Sequence, residues 1–234
     1  GLQLRTQPDP ISTLPEIVPL LALLEGAAAA PVAAEGALLA PLGENANLQP
    51  ALVDLKKFGP HFAVAGPPFS GKTTVLLNWI FGLAYRYSPA RAPMILVDLQ
   101  RRLAEYGGQR RLGELPHVLQ VVDEVAQLEA LLPQLKSECE QLGSRSRSLF
   151  LFIDNYDDFS DELEKARGLA QELAGLARRF GRDGLHFVIA GTLDGSGNEL
   201  RRRIQSANYG LGLRIAQSLD TLRVSRRPAG MQDK

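Results

Sequence analysis

The sequence has little of what marks a secreted, metal-binding or strongly nucleic-acid-binding protein. Its 234 residues include one cysteine, Cys139, so no internal disulfide can form and a reducing compartment is expected. The three histidines are scattered without ligand spacing, so no metal site built by side chains alone is predicted. Basic and acidic residues balance at 26 each, and this zero formal charge disfavours DNA as the main partner.

Long apolar runs are also missing. No segment approaches the roughly 20 apolar residues that a membrane-spanning helix needs, and the first residues have no secretory pattern. The chain begins without methionine. It is therefore expected to be part of a longer protein, with membrane attachment only through parts outside this chain.

Three regions are predicted along the chain. Residues 1–36 are expected to form an N-terminal arm, a short helix and an alanine- and proline-rich link. Residues 37–222 are expected to form one domain, and residues 223–234 a C-terminal tail. The stretch 14–26 has helical spacing, and the positions predicted to share its apolar face are Ile17, Leu20, Leu21 and Leu24.

The central region alternates short apolar runs with amphipathic segments. Residues 38–55 predict two strands around a turn at 43–45. The further predicted strands are 61–66, 94–99, 149–154, 185–191 and 209–216. The predicted helices are Lys72 to about Tyr87, an apolar face from Val125 to Leu142, about 161–181, and about 196–206. This alternation predicts an α/β fold with a mainly parallel sheet flanked by helices and preceded by a hairpin.

The stretch FAVAGPPFSGKTTVLLNWI, residues 62–80, contains the spacing of a phosphate-binding loop. Gly66 is followed by four residues and then by Gly71-Lys72-Thr73, with a predicted strand before the loop and a helix after it. Lys72 is expected to reach the β- and γ-phosphates, and the Thr73 hydroxyl to bind Mg²⁺. The predicted nucleotide-binding residues are Gly66, Ser70, Gly71, Lys72, Thr73 and Thr74. The alternative is a chance match on a structural loop.

A second motif lies at the end of the apolar strand LFLFID. Asp154 stands at the carboxyl end of this strand, where it can hold Mg²⁺ together with Thr73; the alternative is an aspartate that caps a turn. Many P-loop ATPases place a glutamate directly after this aspartate, where it acts as general base, but this chain has Asn155. An amide orients water and cannot take its proton at neutral pH, so hydrolysis is expected to be weak or absent. Asp157 and Asp158 are predicted to form a solvated acidic turn.

Two further features are candidates for roles at such a site. The strand 185–191 is expected to lie between the loop strand and the Asp154 strand, and Thr192 at its end could sense the γ-phosphate or could be a turn residue. Arginines are clustered at several places. Arg201, Arg202 and Arg203 are the predicted interface arginines, with solvated surface as the alternative.

The order of these segments resembles that of the FtsK/SpoIIIE ATPases. LPEIVPL, an alanine- and proline-rich link, a hairpin and HFAVAGPPFSGKTTVL are followed by ILVDLQRRLAEY, FLFIDNYDDF, GLHFVIAG and NYGLGLRIAQSLD. Within these ATPases the chain is most similar to the repeated modules of the EccC/EssC proteins of type VII secretion. The similarity covers roughly residues 14–222.

The resemblance implies a RecA-like (ASCE) P-loop NTPase fold, ATP and Mg²⁺ as ligands, and hexameric assembly on the cytoplasmic side of the cell membrane. It also implies neighbouring ATPase modules and, in later modules, secreted proteins as partners. Lys72, Thr73 and Asp154 match the family pattern, whereas Asn155 departs from it. The Thr-Gln of the family's DNA motors is absent after Gly191, where Thr192 precedes leucine.

The expected function is therefore an ATP-binding module of a larger export ATPase, with weak or no turnover of its own. One alternative is a DNA-translocating motor, which predicts salt-sensitive DNA binding and DNA-stimulated ATPase activity. The other is a nucleotide-free module that recognises secreted proteins. The sequence does not fix the partner, the oligomeric state or whether ATP is hydrolysed.

Overall fold

The first elements of the chain are a helix and a hairpin. The computed structural model describes residues 17–28, 38–45, 47–103, 111–143, 147–166, 168–194 and 197–214. Helix α1 covers Leu20–Ala28, and strand β1 (Leu39–Glu44) pairs antiparallel with β2 (Pro50–Asp54). A one-turn helix, α2 (Leu55–Phe58), follows, because the Asp54 carboxylate accepts hydrogen bonds from its first backbone N–H groups.

Two expectations for this part are wrong. Leu23, Leu24 and Ala27 form the buried face of α1, whereas Ile17 and Leu21 are 79% and 60% exposed. The helix begins at Leu20, so residues 17–19 do not share its periodicity, and residues 14–16 of the predicted helix lie outside the described ranges.

The chain reversal between β1 and β2 also lies later than predicted. Gly43 and Glu44 still belong to β1, which has an irregular register after Pro41. The reversal begins at Asn45, whose side-chain oxygen accepts hydrogen bonds from the backbone N–H groups of Asn47 and Gln49. An asparagine that bonds its own following backbone is a turn signal in itself.

Six strands form one parallel sheet. They are β3 (Phe62–Ala65), β4 (Met94–Val97), β5 (Val118–Val122), β6 (Leu149–Ile153), β7 (Leu185–Gly191) and β8 (Gly210–Gly212). Their order across the sheet is β5-β4-β6-β7-β3-β8, and every neighbouring pair is parallel. As predicted, β7 lies between the loop strand β3 and the strand β6 that ends before Asp154.

The helices cover both faces of this sheet. They are α3 (Lys72–Arg86), α4 (Val125–Glu140), α5 (Tyr156–Lys165), α6 (Leu169–Phe180) and α7 (Glu199–Gln205), with a 3₁₀ turn at Leu112–Glu114. Alternate residues of each strand point to opposite faces. Leu151 therefore packs with α4 to α7, whereas Phe150 and Phe152 pack with α3 and the hairpin. Trp79 and Cys139 are core residues, each 1% exposed.

The single helix predicted over 161–181 is two helices. α5 already begins at Tyr156, and Gly168, with a φ of 83°, precedes α6. β5 was not predicted, because it is an edge strand whose Leu119 and Gln120 are exposed and interrupt the apolar pattern. Residues 215 and 216 of the last predicted strand lie outside the described ranges. Among the described residues, no helix has the length and apolar character needed to cross a membrane.

Candidate functional site

The candidate site lies at the carboxyl edge of the sheet. Parallel strands bring their carboxyl ends to one edge, and in open α/β sheets ligands bind there. β3 runs into the glycine loop, β6 runs into Asp154, and β7 runs into Thr192. β4 contributes Asp98, which is 1% exposed. The two sequence motifs, separated by about eighty residues, are therefore neighbours in the fold.

The two glycines of the loop are required for different reasons. A Cβ on Gly66 would come within 2.5 Å of the Ser70 hydroxyl and 2.7 Å of the Leu213 carbonyl oxygen, so only glycine fits. A Cβ on Gly71 would meet no atom within 4 Å, but its φ of 98° is the left-handed region that side chains disfavour. Glycine is therefore required at position 66 by close packing and at position 71 by the backbone conformation.

Phe69 is a feature of the loop that the motif does not predict. Its side chain is 99% exposed, although it is a large aromatic group. Its φ is 59°, which is uncommon for a residue other than glycine. The loop therefore presents an apolar ring to solvent beside the phosphate-binding turn.

Lys72 lies against the loop that it belongs to. Its Nζ donates to the carbonyl oxygens of Gly66, at 2.7 Å, and of Pro67, at 2.8 Å. Burial lowers the pKa of Lys72, while the negative charges of Asp157 and Asp154 act to raise it. The ammonium group is thus held beside two carboxylates and at the first turn of α3, where helix N–H groups favour anions.

Thr73 and Asp154 are in direct contact. The Thr73 hydroxyl lies 3.2 Å from one carboxylate oxygen of Asp154 and 3.0 Å from the other, and it donates a hydrogen bond to them. Asp154 is 4% exposed, and burial raises its pKa despite the hydrogen bond from Thr73. This pair joins the phosphate loop to the acidic strand.

Asn155 follows with an unusual backbone. Its φ of 49° lies in the left-handed region, which asparagine tolerates better than most residues. Its amide Nδ2 donates to the Asp158 carboxylate at 2.6 Å, and the Gln100 side chain donates to the same oxygen. Asp158 is exposed, as expected, but it lies in the first turn of helix α5 and not in a turn between elements. The residue after Asp154 is therefore an amide that is already hydrogen-bonded.

Asp157 does not belong to a solvated turn, and that expectation is wrong. Its carboxylate accepts hydrogen bonds from the backbone N–H groups of Thr192, at 2.6 Å, and Leu193, at 3.1 Å. Thr192 is half-buried at the end of β7. The aspartate connects α5 to that strand, and only the distance along the chain hid this from sequence reasoning.

The three arginines of α7 occupy different environments. Arg201 is 6% exposed, and its guanidinium donates to the Asp194 carbonyl oxygen and to Gln205. Arg203 is half-buried, and Arg202 is exposed. The interface role stays a prediction for all three, and the geometry favours Arg202 as the one that can reach outwards.

Asp98 was missed by the sequence analysis, although it ends an apolar strand just as Asp154 does. Its carboxylate accepts from the backbone N–H groups of Arg102, at 2.9 Å, and Leu103, at 2.8 Å. Its charge also acts to raise the pKa of Asp154, and the positive charge of Arg102 acts to lower it. The sequence MILVDL could have predicted this residue, because its aspartate follows an apolar strand.

The residues present suit Mg²⁺ with phosphate better than a metal held by protein alone. Among the described residues, no group of three or more histidine, cysteine, aspartate or glutamate side chains is placed to hold a metal ion. Mg²⁺ usually takes one or two protein oxygen ligands and completes its shell with water and substrate phosphates. The Thr73 hydroxyl and Asp154 carboxylate supply such a pair.

Comparison with known proteins agrees with this geometry. A family model described as the FtsK/SpoIIIE family matches residues 23–151, which is more than half of the chain. This chain belongs to the FtsK/SpoIIIE family. It is 32% identical over 201 residues to the ESX secretion system protein EccC of Thermomonospora curvata, covering 82% of this chain and 14% of that protein. It is also 32% identical over 134 residues to the DNA translocase FtsK of Azospirillum brasilense, covering 56% of this chain and 20% of that protein.

A solved structure gives the same result for the fold. The structure of Thermomonospora curvata EccC (ATPases 2 and 3) in complex with a signal sequence peptide superposes with a TM-score of 0.64 at 26% identity, over 87% of this chain and 37% of that one. The predicted RecA-like P-loop NTPase fold is confirmed. This FtsK/SpoIIIE-family chain resembles an ATPase module of EccC-type secretion ATPases, and it spans a small part of each of these relatives.

Proposed function

We propose that the chain is an ATP-binding module of a larger, type VII secretion-like ATPase, with weak or no hydrolysis of its own. The observation that carries the proposal is the contact between Thr73 and Asp154, because it joins the phosphate loop and the acidic strand into one site. The likeness to EccC supports protein export over other uses of the fold.

Each residue of the site has a role that follows from its position. Backbone N–H groups from Ser70 to Thr74 would surround the phosphates at the start of α3. Lys72, already beside this loop, would neutralise phosphate charge. Thr73 and Asp154 would hold Mg²⁺, which supplies further charge neutralisation when bound.

Weak turnover follows from the residue after Asp154. Asn155 cannot accept a proton from water at neutral pH, and its amide is bonded to Asp158. ATP would then act mainly as a ligand that fixes how this module packs on its neighbours. The proposed setting is the cytoplasmic face of a membrane, within a larger, hexameric protein, with neighbouring modules and secreted proteins as partners.

Calorimetric titration with ATP and ADP, with and without Mg²⁺, tests binding. We expect saturable ATP binding that Mg²⁺ strengthens and that Lys72→Ala abolishes. Lys57→Ala is the matched control, because Lys57 is an exposed lysine in α2, away from the phosphate loop. If neither nucleotide binds, the nucleotide-free recognition module replaces this proposal.

A turnover assay of Asn155→Glu tests the second half of the proposal. We expect activity to rise at least several-fold, because a carboxylate can act as general base. The gain is limited by the left-handed backbone at this position and by repulsion from Asp158. Asn155→Glu combined with Asp158→Asn should therefore be the more active variant. Rapid hydrolysis by the unaltered protein would contradict the proposal of weak turnover.

A further inference from the structure

The end of β7 is held by a side chain from a different part of the chain. Asp157, in the first turn of α5, uses both carboxylate oxygens: one accepts from Thr192 N at 2.6 Å and the other from Leu193 N at 3.1 Å. Hydrogen bonds to an ionised carboxylate are stronger than neutral ones. Asp157 therefore fixes the backbone at the point where β7 leaves the sheet.

The backbone at this point is strained. Leu193 has a φ of 58° and is fully buried, a conformation that a branched side chain rarely adopts. A Cβ on Gly191 would come within 2.7 Å of the Asp157 carboxylate oxygen, so the close approach of Asp157 requires glycine there. Strained turns persist where their surroundings fix them, and they are frequent at ligand sites.

This turn is connected to the phosphate loop by hydrogen bonds. The carbonyl oxygen of Gly191 accepts from Gly66 N at 3.2 Å. The carbonyl oxygen of Gly66 in turn accepts from Lys72 Nζ at 2.7 Å. The charge of Asp157 also acts on Lys72, where it favours the protonated ammonium group. Asp157 is thus linked to the phosphate loop in two ways: through the hydrogen bonds at Thr192, Gly191 and Gly66, and through the effect of its negative charge on Lys72.

We propose that Asp157 is a positioning residue that sets Thr192 against the terminal phosphate of a bound nucleoside triphosphate. The inference rests on the proposed nucleotide site and adds to it the means by which the site distinguishes ATP from ADP. Asp157 itself does not touch the nucleotide. It acts through the backbone of Thr192 and Leu193, whose N–H groups donate to its two carboxylate oxygens.

The test compares the affinities for ADP and for the non-hydrolysable triphosphate AMP-PNP by calorimetry with Mg²⁺. In Asp157→Ala we expect ADP affinity to stay within about twofold and AMP-PNP affinity to fall about tenfold, the scale of one lost charge-assisted hydrogen bond. Thr192→Ala should give the same pattern. The double variant should lose no more than either single variant, because the two residues act on one contact.

Two further variants keep the test decisive. Asp157→Asn retains one oxygen acceptor and the size of the side chain, so it should fold if Asp157→Ala does not and should lose part of the discrimination. Asp161→Ala, an exposed aspartate later in the same helix, should bind both nucleotides like the unaltered protein.

The outcomes separate this inference from the proposed function. If the unaltered protein binds neither nucleotide, both fall together. If it binds both but the aspartate variants lose ADP and AMP-PNP affinity equally, Asp157 is only structural and the inference alone is overturned. Unchanged discrimination in folded Asp157→Ala and Asp157→Asn overturns it as well.

Discussion

At the scale of single residues, the site depends on a contact between Thr73 and Asp154. Each motif was predicted from sequence with its own role, because the spacing of glycines, lysine and threonine and the aspartate at a strand end are local patterns. The Thr73 hydroxyl lies 3.0 Å from an Asp154 carboxylate oxygen. This distance depends on how β6 and β7 pair beside β3, which no local pattern specifies. The same reason hid Asp157, whose partners lie 35 and 36 residues away.

The charge of Asp154 is expected to matter more than its shape. Asp154→Asn keeps an oxygen that can accept the Thr73 hydroxyl but removes the negative charge that Mg²⁺ needs. We expect the gain in ATP affinity on adding Mg²⁺ to fall by roughly tenfold or more, with little change when Mg²⁺ is absent. Calorimetry under both conditions measures this. Asp183→Asn, an exposed aspartate just before β7, is the control, and an unchanged Mg²⁺ effect in Asp154→Asn would argue against the metal role.

At the scale of elements, the strands and helices with continuous or periodic apolar residues were predicted well. α3 begins at Lys72 as expected, and β7 matches its predicted bounds. The failures have physical causes. β5 was not predicted because one side of an edge strand faces solvent, so its sequence is not continuously apolar. The break between α5 and α6 was not predicted because the amphipathic periodicity continues across Gly168.

The break between α5 and α6 can be tested with two glycines. Gly168 precedes α6 with a φ of 83°, so Gly168→Ala should lower the free energy of unfolding by about 1 kcal/mol. Gly175 lies within α6, and a Cβ there would meet no atom within 4 Å, so Gly175→Ala should raise that free energy by about 0.5–1 kcal/mol. Urea unfolding followed by circular dichroism measures both. Effects of the same sign would contradict the described helix boundary.

Two buried histidines join β3 and β7 at their amino ends. His61 accepts from Phe187 N and its other ring nitrogen lies 3.2 Å from the Ala177 carbonyl oxygen, while a His186 nitrogen lies 2.7 Å from the Pro60 carbonyl oxygen. Burial, with the neighbouring His186, lowers the pKa of His61 to about 3, and burial lowers the pKa of His186 to about 4. Both side chains are therefore neutral in the folded protein at neutral pH.

These lowered pKa values predict acid sensitivity. Below about pH 6.5 the unfolded chain binds protons at these histidines that the folded state does not bind. The free energy of unfolding is therefore independent of the two histidines above that pH, and it decreases as the pH falls towards 4. The loss should approach about 1.4 kcal/mol per pH unit for each histidine. Urea unfolding between about pH 7 and 5 measures the slope. His186→Gln, whose amide can still donate to Pro60, should reduce the slope, and an unchanged slope would contradict this account.

At the scale of the whole molecule, nucleotide binding would join the two faces of the sheet. Thr73 belongs to α3 and the hairpin side, whereas Asp157 belongs to the side covered by α4 to α7. Both reach the same edge through the carboxyl ends of the strands. A ligand bound at this edge would stabilise the module as a unit, which fits a nucleotide that fixes packing between neighbouring modules.

The surface charge of the whole module separates protein export from DNA translocation. The chain resembles both EccC and FtsK proteins. DNA motors need a basic track, because phosphate contacts supply most of the affinity. This chain has zero formal net charge. Exposed arginines are spread over different parts of the described chain, for example Arg102 in the turn after β4, Arg179 in α6 and Arg202 in α7.

We therefore expect that duplex DNA neither stimulates turnover nor stays bound at physiological salt. Fluorescence anisotropy of a labelled duplex of about 30 base pairs, between about 50 and 200 mM salt, measures binding, and the turnover assay with and without DNA measures stimulation. Weak binding at the lowest salt is compatible with scattered arginines, because non-specific contacts are lost steeply as salt rises. Tight binding at the highest salt together with DNA-stimulated hydrolysis would instead require a continuous basic surface, and would place this module with the translocases.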